Sequence, residues 1–134
     1  MLPAPEDMRG MTVRDRHGLI AGRVAELFVD ADDGALLYLG VAAGPGIAGM
    51  VLVPLDEVFA TSDPLDVELV VPYTRAEVRA APVCADGALP TVGLEIAVRR
   101  HFARAGARSG ADVPASGGPG GGDHEAVRAV RWGV

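Results

Sequence analysis

The chain has 134 residues, a formal net charge of −6, 49% hydrophobic residues and a single cysteine. That is the size of one domain with an appendage. It excludes an internal disulfide, and the acidic balance disfavours a nucleic-acid surface. All twelve basic residues are arginine, and Lys, Asn and Gln are absent, a bias expected of a high-GC bacterial genome. Residues 1–83 carry thirteen acids and six arginines (−7), and residues 84–134 five acids and six arginines (+1).

Residues 1–9 read as a flexible lead, and Met1–Asp7 has neither the basic region nor the apolar run of a signal peptide. With the lone Cys84, this gives a cytoplasmic expectation. A first strand is predicted at 11–15 and a second at 20–30, separated by the turn Arg16-His17-Gly18. In the second, Ile20, Gly22 and Val24 alternate, and the phase then shifts at Glu26-Leu27. A β-bulge accounts for that shift. Asp30 to Gly34 is a turn, with Asp for side-chain-to-backbone bonds and Gly for positive φ. The third strand, 36–43, sends Leu37, Leu39 and Val41 to one face and Leu36, Tyr38 and Gly40 to the other. Both faces are apolar, so a helix or a second subunit has to cover the outer one.

The fourth strand is predicted at 50–54, ended by Pro54, with a short helical turn at Asp56-Glu57-Val58-Phe59. The fifth is predicted at 66–71. Thr74 and Glu77 form a capping box ahead of a short helix. A longer helix spans 91–105, with Thr91 as cap and Gly106 at its end; Val92, Ile96 and Phe102 lie near one stripe, with Leu94 and Val98 adjacent. Arg99, Arg100 and Arg104 crowd its last turns, where cations complement the helix dipole. They are also the candidate contacts for anionic lipid or an acidic partner, which leaves peripheral membrane association open.

Residues 106–122 are mostly Gly, Ala, Ser and Pro and read as a flexible linker. In the terminal peptide, 123–134, Val127, Val130 and Val134 fall at helical spacing beside Trp132. The segment reads as a tethered docking peptide with an apolar stripe at helical spacing and a tryptophan anchor, as a frayed tail, or as a helix folded back on its own barrel. Gly34 to Leu55 is a run of 22 uncharged residues. Gly44-Pro45-Gly46 at its centre argues for two strands joined by a loop, and against a membrane span.

The residues that look chemical fit structural roles better. Gly44-Pro45-Gly46-Ile47-Ala48-Gly49 has the spacing of a dinucleotide fingerprint, but a strand follows where the phosphate-binding helix should begin. Asp30 to Gly34 resembles the start of a calcium loop, but its glycine comes one place early and no glutamate closes it. His17, His101 and His124 share no metal spacing with Cys84. Ser62 starts a turn, Ser109 and Ser116 fall in the linker, and Cys84 has no neighbouring base in sequence. The expectation is a protein that is not an enzyme, without cofactor or metal.

Taken together, Gly10, Gly18-x-x-x-Gly22-x-Val24, the turn Asp30 to Gly34, Leu39-x-Val41, Val51-x-Val53-Pro54 and Ala81-Pro82 resemble the PRC-barrel domain. That module is named after the cytoplasmic barrel of the photosynthetic reaction-centre H subunit. The resemblance covers about 8–83. The helix from Leu94 to Phe102 is similar to the segment that follows the barrel in stand-alone bacterial members. The expected fold is therefore all-β, a small antiparallel six-stranded PRC-type barrel with an added C-terminal α-helix and flexible tail. The expected domains are a barrel at 8–83, a connecting segment and amphipathic helix at 84–105, the linker at 106–122 and the peptide at 123–134.

The resemblance implies a non-catalytic protein-interaction or assembly module, and the doubly apolar third strand adds self-association as a homodimer. Leu36, Tyr38, Phe59 and Phe102 are the candidate contact residues on the barrel and helix. Val127, Val130 and Trp132 are the candidates in the tail, through which a larger complex would be reached. Two other roles follow from the family. One is a peripheral subunit of a membrane-associated electron-transfer or photosynthetic complex. The other is a ribosome-maturation-like RNA–protein assembly factor.

Overall fold

The structure, a computed structural model, describes residues 2–108 and 128–133, with 106–108 described by backbone alone. In chain order the elements are α1 (Pro5–Met8), β1 (Thr12–Arg14), β2 (Ile20–Asp30), β3 (Leu36–Ala42), β4 (Met50–Pro54), β5 (Phe59–Ala60), β6 (Leu69–Val70), α2 (Arg75–Arg79), β7 (Val83–Cys84), α3 (Val92–Arg108) and β8 (Ala129–Arg131). The eight strands form one sheet ordered β5-β6-β1-β2-β3-β4-β7, with β8 added alongside β2. The sheet is therefore the β-rich body expected. Its strand path is open, ending in β5 and β7, and no ladder joins those two among the described residues.

One ladder departs from the all-antiparallel expectation. β1 and β6 run parallel, with Val13 opposite Leu69. The β5–β6 hairpin returns the chain to the far side of β1 with its second strand pointing the same way as β1.

The phase shift in the second strand is a bulge. Val24 pairs with Val41 but Glu26 with Gly40, so Ala25 is the extra residue. A second shift lies between Phe28 and Val29, across from Leu37. Gly22 lies where β2 and β3 cross closely: a Cβ there would meet the carbonyl oxygen of Ala42 and come within 2.8 Å of Val41 Cγ1. The glycine-rich stretch 44–49 links β3 to the antiparallel β4, as a hairpin loop should.

The core gathers Met8, Val13, Leu27, Phe28, Tyr38, Leu39, Val41, Val51, Leu52, Val53 and Leu69 with Val98 and Phe102 of α3. Met8 is fully buried and α1 carries it, so the lead is not loose throughout as the sequence suggested. The capping box of α2 forms as expected, Thr74 Oγ1 accepting from the Glu77 amide and Glu77 Oε1 from the Thr74 amide.

α3 is the cover that the outer face of β3 requires. Its buried line is Glu95, Val98, Phe102 and Ala105, not the Val92–Ile96–Phe102 stripe read from apolarity. The spacing fits one helical face once the carboxylate is accepted as an inward position. Phe102 stacks on Tyr73 with ring centroids 4.3 Å apart, and the His101 Nε2–H donates to the Glu77 carbonyl at 2.6 Å. Helical backbone continues past Gly106 to Arg108, so that glycine does not end it. The rest of the expected linker, with Val127, His124 and Val134, lies outside the described residues.

The tail corrects the helical expectation. Residues 129–131 are a strand, with Val130 opposite Val29 and Ala129 opposite Asp30. The reason lies in β2, which is longer than its neighbour: β1 pairs with its first half only, Thr12 opposite Arg23 and Arg14 opposite Ile20. The main-chain groups of its second half would be left on a bare edge, and backbone donors and acceptors seek partners. β8 takes that vacant length. Ala31 N–H donates to Arg128 O at 2.8 Å and Trp132 N–H to Leu27 O at 2.8 Å, extending the ladder at both ends.

Candidate interaction site

Two surfaces meet the chemistry of recognition. The first is the slot in which β8 lies. Its floor is the edge of β2 from Leu27 to Ala31, and its wall is the first turns of α3. Glu95 projects from α3 into the interior and is 4% exposed. Its Oε1 accepts the Tyr38 hydroxyl at 2.7 Å, and Arg128 Nη2 at 2.7 Å and Nε at 3.3 Å. Its Oε2 is buried and has no hydrogen-bond partner. Arg99 completes the chain from the other side, donating from Nε to the Tyr38 oxygen at 3.2 Å with its guanidinium over the ring.

Burial pushes the Tyr38 phenol above its ordinary value, and its hydrogen bond to Glu95 adds to the rise. The same Glu95 bond holds the Arg128 guanidinium charged. Further along the slot, Arg128 approaches Asp30 at 3.9 Å and Arg131 approaches Glu26 at 4.0 Å. Arg9 spans the far end, bonded to Glu26 and to the Trp132 carbonyl, with its guanidinium 5.5 Å from the indole. The slot is acidic and the strand in it is basic. Each arginine of the strand meets a carboxylate of the domain.

The second surface lies at the other end of the sheet. Register carries a single row across four strands: Phe59 opposite Val70, Val70 opposite Arg14, and Arg14 opposite Ile20. Residues in one row share a face. The neighbouring row Ala60–Leu69–Val13 is the inward one, since Leu69 and Val13 are fully buried. The outward row shows Phe59 at 54% and Ile20 at 53% exposure, with Leu19 next to it at 49%. Arg14, in the middle, is held flat by Glu68 at 2.6 Å. The result is an apolar strip with a neutralised charge at its centre.

The residues singled out from sequence are therefore placed very differently. Phe59 is exposed on β5, Leu36 is half-buried at the start of β3, and Val130 and Trp132 are half-buried in the slot. Tyr38 is buried beneath α3 and Phe102 is buried on α3 itself. The helix of the same chain lies on the face of β3 that a second subunit was expected to cover. All three arginines are exposed, and Arg99 among them is bonded to Tyr38 and Asp56.

Sequence reasoning missed Glu95 and Asp15. A glutamate on an exposed-looking helix carries no mark of burial. Its one signal is the i, i+3, i+7 spacing to Val98 and Phe102. Asp15 is 1% exposed. It accepts from the amides of His17 and Leu19 through Oδ1 and of Arg75 through Oδ2, at 2.8–2.9 Å. Burial works against its charge, but these backbone donors outweigh it and hold the carboxyl below the usual range. Asp15 thus clamps the β1–β2 turn to the start of α2. Asp30 caps its own turn in a similar way, accepting from the Asp32 and Asp33 amides. Burial pushes the Cys84 thiol up. Among the described residues, no group of His, Cys, Asp and Glu could hold a metal ion. No described helix is long and apolar enough to cross a membrane.

The long, bulged β2, the hairpin to β3 and the parallel return onto β1 lie within the segment that a known domain model recognises: the PRC-barrel domain matches residues 4–78. The chain belongs to the PRC-barrel family. The match covers α1 through most of α2 and stops before α3 and β8, so the helical wall of the slot and the strand that fills it lie beyond it. No curated protein matches the chain.

Proposed function

We propose that this PRC-barrel protein is a non-catalytic interaction module that assembles with a second copy of itself through the Phe59–Ile20 strip. The strip carries the reading. It is the outward row of four adjacent strands, and it reaches the end strand β5, whose outer side takes no partner in the strand order. Three large apolar side chains about half exposed in one area are a cost to an isolated domain and a contribution at an interface. Every buried charged residue in the described part also has a structural duty: Asp15 clamps a turn and Glu95 anchors the tail. That pattern supports a binding role over a catalytic one.

Light scattering at tens of micromolar tests the assembly. The expected mass is twice the 13.8 kDa of one chain. Phe59→Glu, at a site already exposed, is expected to return the monomer with an unchanged far-UV spectrum. A wild-type monomer across that range would remove the proposal. A role as a peripheral subunit at an anionic surface rests on the exposed Arg100 and Arg104. Flotation with anionic liposomes that leaves Arg100→Glu/Arg104→Glu as well bound as wild type would remove it.

A further inference from the structure

We propose that the β2–α3 slot is a strand-docking site that takes the C-terminal strand of a second copy of this chain as well as its own. The inference rests on the self-association just proposed. The slot is built entirely from residues before the tether. β2 supplies the backbone edge, α3 supplies Glu95, β3 supplies Tyr38 and the segment before β1 supplies Arg9. Two of its contacts involve no tail residue: the Tyr38 hydroxyl donates to Glu95, and Arg99 donates to Tyr38. The site therefore does not depend on which copy delivers the strand. What it asks for is an extended segment with an arginine to meet Glu95, a small residue next (Ala129 is fully buried), and an aromatic residue under Arg9. The terminal segment Arg128-Ala129-Val130-Arg131-Trp132 meets that demand in every copy.

The attachment is also of a kind that exchanges. Between α3 and Arg128 lie residues 109–127, nineteen positions of which six are glycine. Nineteen residues have a fully extended reach of ~65 Å. A domain of this size has a radius of gyration of about 13 Å. In an isolated chain the tether keeps its own tail at an effective concentration on the order of millimolar, so docking within the chain prevails. In a self-associated pair the neighbour's tail is confined to a comparable volume. Docking in trans then makes the same hydrogen bonds and ion pairs, and the two modes compete on nearly equal terms. Exchange requires the release of a few backbone bonds, the ion pairs of Arg128 and Arg131 and the contacts of Arg9 with Trp132.

The test uses the full chain. A 1:1 mixture of isotope-labelled and unlabelled copies, equilibrated together, is examined by isotope-filtered NOE spectroscopy with light scattering on the same sample. The expected result is a set of intermolecular NOEs from Ala129, Val130 and Trp132 of one copy to Leu27–Asp30 of the other. A dimeric sample whose tail NOEs are all intrachain would overturn strand exchange and leave self-association standing; a monomer would overturn both. A second measurement mixes Arg128→Ala chains with Glu95→Gln chains, which can recover one Glu95–Arg128 pair only in trans. Native mass spectrometry is expected to show the mixed dimer above the share that random pairing gives. A random share would count against exchange.

Discussion

Arg128→Ala removes the cation that the buried Glu95 carboxylate depends on, and the size of the effect follows from where the two groups sit. The Glu95 side chain is 5% exposed and Arg128 46%. Of the three donors on Glu95 Oε1, two belong to Arg128, and Oε2 has none to fall back on. Stripping one partner from a fully buried pair costs about 3–5 kcal/mol, while a fully exposed pair is worth about 0.2–1 kcal/mol. With one partner interior and the other at the rim, water reaches the site once the guanidinium is gone. The expected cost is ~2 kcal/mol, a factor of about 30 in the folded-to-unfolded ratio. For a chain of this length that is a fall of ~8 °C in Tm. Release of β8 accompanies it. Trp132 is the one tryptophan in the chain, so its emission reports on the tail directly.

Thermal melts followed by circular dichroism, with tryptophan emission read in parallel, make the assay. Glu95→Gln keeps the shape and the acceptor for Tyr38 while discharging the site, and is expected to cost ~1 kcal/mol. On that background Arg128→Ala should cost little more, because the charge it served is gone. The reasoning is refuted if Arg128→Ala lowers stability by less than about 0.5 kcal/mol with unchanged Trp132 emission, or if it costs as much in the Glu95→Gln background as beside the native acid.

Three further outcomes follow from the same structure. Gly22→Ala would force a Cβ into the Ala42 carbonyl across the β2–β3 ladder, so urea titration is expected to show a loss of about 3 kcal/mol or more. Stability should depend on pH at both ends. Asp15 titrates lower in the folded chain, so its contribution is present above about pH 3.9 and disappears as pH falls through its depressed folded value. Tyr38 titrates higher when folded, so its contribution is complete below about pH 10 and is lost as pH rises through its raised folded value. Asp15→Asn should flatten the acid limb and Tyr38→Phe the alkaline limb of a pH–Tm profile. Finally, the buried Cys84 thiol, raised by desolvation, should resist a colorimetric thiol reagent at neutral pH and react fully once denatured.

Periodicity, turn chemistry and capping are local properties, and the sequence alone was enough for them. The bounds of β2 and β4, the bulge before Glu26, the Asp30–Gly34 turn and the Thr74–Glu77 box all depend on neighbours a few positions away. So does the helix after Thr91, read from its cap and its own apolar positions. Only the tertiary structure decided what fills each vacancy. Whether Tyr38 would meet a second subunit or α3, and whether the tail would be a helix or a strand, turned on an edge of β2 that β1 is too short to cover and on a carboxylate 33 positions from its arginine. A free main-chain edge takes Val130 into a strand in place of the helix that its spacing suggested, because backbone donors and acceptors seek partners.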